Sequence, residues 1–379
     1  MDILARGRAY IFGIVYRWVL KPVLFLMEPE KVHEDMLIRG AHLGSSPLGR
    51  WLIRSCFWYG NPKLKQIIAG IHFPNPVGLA AGFDKDGKLT QILPGLGSGF
   101  EEVGSVTAGS CAGNPGPHLW RLKKSKSIAV NYGLKNVGAE VIARSLAELS
   151  FSFPLGISLA KTNIPATIDE QAGIIDYIEG YTSFLRNQVG DYMTINISCP
   201  NACGGQPFLK PAALEGLLSA LQKLRIEHGD KRPWFLKLAA DIYPTMVDDV
   251  IIVARRYGVT GFICSNLTKN RGNKKIIDSN VPSVGGFSGA VVQELSTNLV
   301  RYIYKKTKGE FIIIGCGGIF SAEDAYEKIK AGASLVQMIT GMIYQGPQLI
   351  SEINIGLVRL LQRDGFSSIS EAIGADYKE

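Results

Sequence analysis

The sequence predicts an α/β fold, a (β/α)8 TIM barrel with an N-terminal helical extension. Three observations carry that expectation. After Asn75, eight short apolar runs alternate with amphipathic stretches. Several of the runs are continuous and rich in Val and Ile, as strands covered on both faces should be. The length of 379 residues suits one barrel of about 250 residues plus an appendage. An open doubly wound sheet is the weaker alternative, because no Gly-x-Gly-x-x-Gly follows the first run.

Composition sets outer bounds. With 46% hydrophobic and 20% charged residues, the chain is neither disordered nor collagen-like. The net charge is +8, and residues 1–70 hold ten Lys/Arg against five Asp/Glu, or +5. So mild an excess, concentrated at one end, gives no reason to expect a nucleic-acid partner. The six cysteines (56, 111, 199, 203, 264 and 316) form no Cys-x-x-Cys pair. Neither a disulfide scaffold nor a metal site is expected, and a reducing compartment is the default.

Taken in order, the first element is the stretch AYIFGIVYRWVLKPVLFLM at 9–27. It is long enough to span a bilayer, but Arg17, Lys21 and Pro22 interrupt it, and central charges suit a spanning helix poorly. An amphipathic helix lying in the membrane interface fits better. A second helix is expected over about 30–43, and residues 47–59 again mix Arg with large apolar groups. Residues 1–70 therefore read as a helical membrane-associating extension. Two alternatives stay open: helices packed on the main domain, or a transit peptide marked by Arg6 and Arg8. Residues 71–379 read as the catalytic barrel.

The eight expected strands are 76–82, 100–106, 155–161, 192–198, 234–239, 261–266, 311–315 and 335–340. Between them, 211–228 carries Leu214, Leu217, Leu218, Leu221 and Leu224 at helical spacing. Residues 321–332 begin with a Ser cap and have Glu323 in the first turn. The long connection 107–154 is a candidate lid or insertion.

Barrel chemistry sits at the C-terminal ends of the strands. Those ends offer Ala81, Gly82 and Lys85; Ser105; Ser158 and Lys161; Asn196, Cys199 and Asn201; Lys237; Ser265 and Asn266; Gly317 and Gly318; and Thr340. Glycines after strands seven and eight suggest a phosphate site, since bare backbone N–H groups can approach an anion. The stretch 285–289 could close over it. Cys199 leaves a strand between Asn196 and Asn201, so its thiol is the candidate base. No Ser-His-Asp set is evident with five His, and no His/carboxylate cluster suggests a metal. The residues suit a phosphate-bearing organic cofactor, an amide- and amine-rich pocket and one thiol base.

The motifs NPVGLAAGFDKDG, EEVGSVT, NISCPN, IIGCGGI, GASLVQMITG and AIGADY, in that order, resemble the dihydroorotate dehydrogenases. The segment FLMEPEKVHEDML is similar to the extension of the membrane-associated, quinone-dependent class. The resemblance implies an FMN enzyme of de novo pyrimidine (UMP) synthesis that oxidises (S)-dihydroorotate to orotate with a membrane quinone as acceptor. It places Cys199 at the base position. Lys85, Asn131, Gly133, Leu134, Asn196, Asn201 and Asn266 fall at substrate positions. Ala81, Gly82, Ser105, Ser158, Asn196, Lys237, Ser265, Gly289, Gly318 and Thr340 fall at flavin positions, and His33 and Arg121 near the quinone path. It also implies a peripheral location, on the cytoplasmic face of a bacterial inner membrane or, in a eukaryote, at the mitochondrial inner membrane. A flavin oxidoreductase of the same kind with another substrate or acceptor is the alternative.

Four positions depart from the family pattern. The base is Cys, as in the cytosolic classes, where the quinone class usually has Ser. Val130 stands where the loop after strand two usually has Asn, with Asn131 one place on. Ser158 replaces an Asn on strand three. Leu267 replaces the Thr that usually follows Asn266.

Overall fold

The computed structural model describes residues 2–377; Met1 and the last two residues of the expected barrel domain lie outside it. Eight parallel strands close a barrel in chain order: Val77–Leu79, Phe100–Val106, Leu155–Leu159, Tyr192–Asn196, Trp234–Leu238, Gly261–Cys264, Ile312–Cys316 and Leu335–Met338. Each falls within or beside the run expected for it. Every residue of these strands except Ile312 is buried, which is why the runs lack polar alternation.

Two layers fill the molecule. Inside the barrel, Phe100, Tyr192, Phe235, Ile263, Ile314 and Leu335 pack together. Outside, strand residues such as Val103, Ile157 and Leu236 meet helix residues such as Leu217, Val250 and Leu357. The helices Pro211–Glu227 and Ala322–Lys330 match their expected spans, and Ser321 caps the latter by accepting the Asp324 N–H at 3.1 Å.

Short hairpin strands Gln66–Ile68 and Ile71–Phe73 plug the barrel floor with Ile68 and Phe73. They turn through Ala69 and Gly70 at φ +50° and +81°. Two consecutive left-handed residues make the tight hairpin connection, and Gly at the second position carries no steric cost there.

At the opposite end, the connection 107–154 contributes strands Leu119–Leu122 and Ser127–Val130. The glycine-rich stretch adds Gly286–Gly289, which pairs with Ser127–Val130 to give a three-stranded antiparallel sheet beside the barrel mouth. Val130 thus sits in strand register opposite Gly286 and Leu119.

The extension begins with helix Asp2–Val15, passes through a wider-wound stretch Tyr16–Leu20 and ends with Lys21–Leu24. The break in regular winding precedes Pro22, whose ring clashes with the carbonyl four residues back and which has no N–H to donate. Helices Pro29–Ser45 and Pro47–Phe57 follow, each with Pro in its first turn and a side-chain cap, Glu28 and Ser46 respectively. Tyr16 donates to the Ile343 carbonyl at 2.7 Å, and Arg17 lies 3.6 Å from Glu352. Arg8 donates to the Ser55 carbonyl at 2.6 Å. No helix among the described residues is long and apolar enough to cross a membrane.

Candidate active site

The C-terminal ends of the barrel strands, the side sheet and the extension enclose one large cavity, with about 1230 Å³ of atom-free space including its mouth. Ala81, Gly82, Lys85, Ser105, Gly133, Leu134, Asn196, Cys199, Asn201, Lys237, Ser265, Asn266, Gly289, Gly318 and Thr340 all line it. His33 reaches the same wall from the extension. Asn131 does not: its Oδ1 accepts from Asn114 Nδ2 at 3.1 Å. Ser158 lies one layer beneath, its hydroxyl 2.8 Å from Ser105 Oγ. Arg121 stands outside, donating to the Met27 carbonyl at 2.8 Å with its guanidinium over the Phe25 ring.

The polar groups form connected chains across adjacent strands. Asn196 Nδ2 donates to Ser105 Oγ at 2.7 Å. Asn266 Nδ2 donates to the Ser198 carbonyl at 3.1 Å, and Asn201 Nδ2 to the Val130 carbonyl at 2.7 Å. Beneath them, buried Glu102 gathers Thr194, Gln337 and Lys237, the Lys237 ammonium 3.6 Å away. Removing solvent from Cys199 raises its thiol above the ordinary value; N–H groups of Asn201 and Ala202 directed at the sulfur, and Lys269, oppose this. Burial brings Lys85 down to about 8, aided by Lys135. Burial and nearby Lys85 hold His33 down to about 4, so its ring is neutral near pH 7.

The cavity wall contains Lys85, Lys237 and His33 but no Asp or Glu. Such a wall suits an anion. At its far end Gly289 and Gly318 have φ of +96° and +69°, and a Cβ there would lie 2.6 Å from the Lys126 carbonyl and 2.3 Å from Gln293 Cβ. Only glycine fits, which leaves bare backbone at that end. Among the described residues, no three His, Cys, Asp or Glu side chains converge as a metal site.

The sequence pattern of the dihydroorotate dehydrogenase family matches residues 63–361. The chain belongs to that family. A dihydroorotate dehydrogenase (quinone) of Nostoc sp. is 38% identical over 96% of this chain and 99% of its own length. One from Natronomonas pharaonis is also 38% identical, over 94% and 98%. Among solved structures, the ligand-free enzyme of Eimeria tenella superposes with a TM-score of 0.82 at 30% identity, covering 93% of this chain and 100% of that one. Its complex with ferulenol gives 0.83 at 29% identity, over 94% and 99%.

Members of this family carry FMN, and the cavity fits it: lysines and bare glycine backbone, with no carboxylate on the wall to repel a phosphate. Tyr132 and Phe83 escaped the sequence reading, whereas Ser288 lies in the stretch expected to close over the site. Ser288 shares a 2.7 Å hydrogen bond with Thr340. Tyr132 lies under the Lys85 ammonium, and Phe83 meets the His33 ring edge-on. Tyr132 lies inside the motif NYGLKN, so its neighbours were the available signal. Leu267 and Val130 also line the cavity, and the N–H of Leu267 is held by Asn266 Oδ1 at 2.9 Å.

Proposed function

We propose that this protein removes the hydrogens from C5 and C6 of (S)-dihydroorotate to give orotate and delivers the electrons to a membrane quinone, as a step of de novo pyrimidine synthesis. The observation that carries this reading is the cavity joining Cys199, Lys85 and three asparagines to glycines 289 and 318, with His33 of the extension on its wall. Bound FMN supplies the hydride acceptor and the two-electron store linking substrate oxidation to quinone reduction.

The chain's own residues do the rest. Lys85 meets the substrate carboxylate, and Asn196, Asn201 and Asn266 bond the ring's amide edges. Hydrogen bonds to Ser105, the Val130 carbonyl and the Ser198 carbonyl hold them before substrate arrives, so little ordering entropy is spent on binding. Cys199 takes the proton from C5 as a thiolate. Lys237, Ser105, Ser265 and Ala81–Gly82 would hold the flavin ring, with Ser158 supporting Ser105, and Gly289, Gly318 and Thr340 its phosphate end.

Of the segment 1–70, residues 1–61 act as the membrane-associating extension, whereas the floor hairpin that begins at Gln66 belongs with 71–379 to the catalytic barrel. The extension exposes Trp18, Leu26 and Trp51 at 78%, 85% and 61% of their surface, among basic Arg17 and Lys21, the pattern of an interface-lying helix. His33 and Arg121 line the quinone's approach. Anaerobic dihydroorotate should bleach the flavin absorbance of the purified protein, and reoxidation by a ubiquinone analogue should restore it. An unchanged flavin spectrum with millimolar dihydroorotate overturns the reading.

A further inference from the structure

We propose that Tyr132 positions Lys85 for the substrate, and that the extension holds Tyr132 in place through Glu30 and His118. The inference rests on the assignment of Lys85 to the substrate carboxylate. The ammonium of Lys85 lies 3.1 Å from the centroid of the Tyr132 ring, while the ion pairs found among the described residues leave Lys85 without a carboxylate partner. The aromatic face therefore fixes a side chain that otherwise has four rotatable bonds.

Tyr132 is itself clamped. The His118 ring stacks on it with centroids 5.2 Å apart and planes within 8°. Both ring nitrogens of His118 are engaged, Nδ1 with Glu30 Oε1 at 2.6 Å and Nε2 with the Asn114 carbonyl at 2.6 Å. Glu30 belongs to the first turn of extension helix Pro29–Ser45, whereas His118 precedes the side sheet. Asn114 in turn donates to the Asn201 carbonyl at 3.0 Å, so one network touches two substrate groups. The Tyr132 hydroxyl is buried with no hydrogen-bond partner among the described residues, so the ring alone does the positioning.

The test uses the full-length FMN-loaded enzyme. Orotate affinity is read by calorimetry, alongside kcat and KM for dihydroorotate and KM for a ubiquinone analogue. Tyr132→Leu, His118→Ala and Glu30→Ala should each weaken orotate and raise the dihydroorotate KM on the order of tenfold. Their kcat should stay within about threefold of wild type, because the reacting groups are untouched, and the quinone KM of His118→Ala and Glu30→Ala within about twofold. Tyr132→Phe should retain wild-type orotate affinity. Orotate affinity unchanged in Tyr132→Leu and His118→Ala, with Lys85→Gln binding poorly, overturns the proposal. So does a loss that Tyr132→Phe shares, or one spread equally over kcat and both KM values. Normal orotate binding by Lys85→Gln overturns the underlying assignment instead, and this inference with it.

Discussion

At Cys199 and Lys85 two opposed protonation needs meet. The proposed base acts as a thiolate, and burial raises the Cys199 pKa, so activity should grow as pH rises. The proposed contact of Lys85 with the substrate carboxylate needs its charge, and its pKa is brought down to about 8, so substrate capture should fade above that pH. The profile of kcat/KM for dihydroorotate should therefore be low at pH 6, rise through neutrality and level off near pH 8, where further gain in thiolate is offset by loss of the Lys85 charge. Lys85→Arg, whose cation does not titrate in this range, should give a profile that keeps rising past pH 8, and a profile that still levels off there in that variant would refute the assignment. Cys199→Ala should keep FMN yet slow flavin reduction by dihydroorotate on the order of 10²-fold or more, followed by stopped-flow absorbance. At Leu267 an alkyl group faces the ring pocket beside Gly286. Leu267→Thr should leave turnover similar or raise it, checked by steady-state rates.

Among the elements, the second barrel strand carries consecutive glutamates with different duties. Glu102 points inward to Thr194, Gln337 and Lys237. Its neighbour Glu101 is fully buried against Asp84, and desolvation followed by the Asp84 charge raises its pKa well above the ordinary carboxyl range. A raised native pKa means the folded protein keeps a proton that the unfolded chain releases. The pair is therefore tolerated at low pH, and stability falls as pH climbs from about 4 toward the native value. Glu101→Gln should raise the melting temperature at pH 8 by a degree or more and change it little at pH 4.5, as scanning fluorimetry would read.

The barrel strands were legible because burial on both faces writes itself as unbroken apolar runs. The side sheet was not: Gly286–Gly289 holds two glycines, which weaken strands, and Leu119–Leu122 and Ser127–Val130 are four residues each around a run of lysines. Most lining residues of the site could be read from strand ends and motifs. The bond of Glu30 to His118 could not, since 88 residues separate partners that share no local pattern.

For the molecule as a whole, the extension couples to the barrel through specific contacts, Tyr16 to Ile343, Arg17 to Glu352 and Glu30 to His118. Removing residues 1–61 while keeping the floor hairpin should abolish quinone reduction and membrane sedimentation but leave flavin bound; full-rate reduction of a ubiquinone analogue by that truncation would count against the extension's role. The apolar side chains that the extension presents have a practical consequence in the test tube. Leu4, Trp18, Leu26, Leu48 and Trp51 are each more than half exposed. In detergent-free buffer these surfaces have only one another to cover them, so copies should cluster and scatter light more strongly as salt rises and charge repulsion is screened. A mild non-ionic detergent should return the particles to a single small size, and the solubility of the protein will depend on the surfactant chosen as much as on the stability of its barrel.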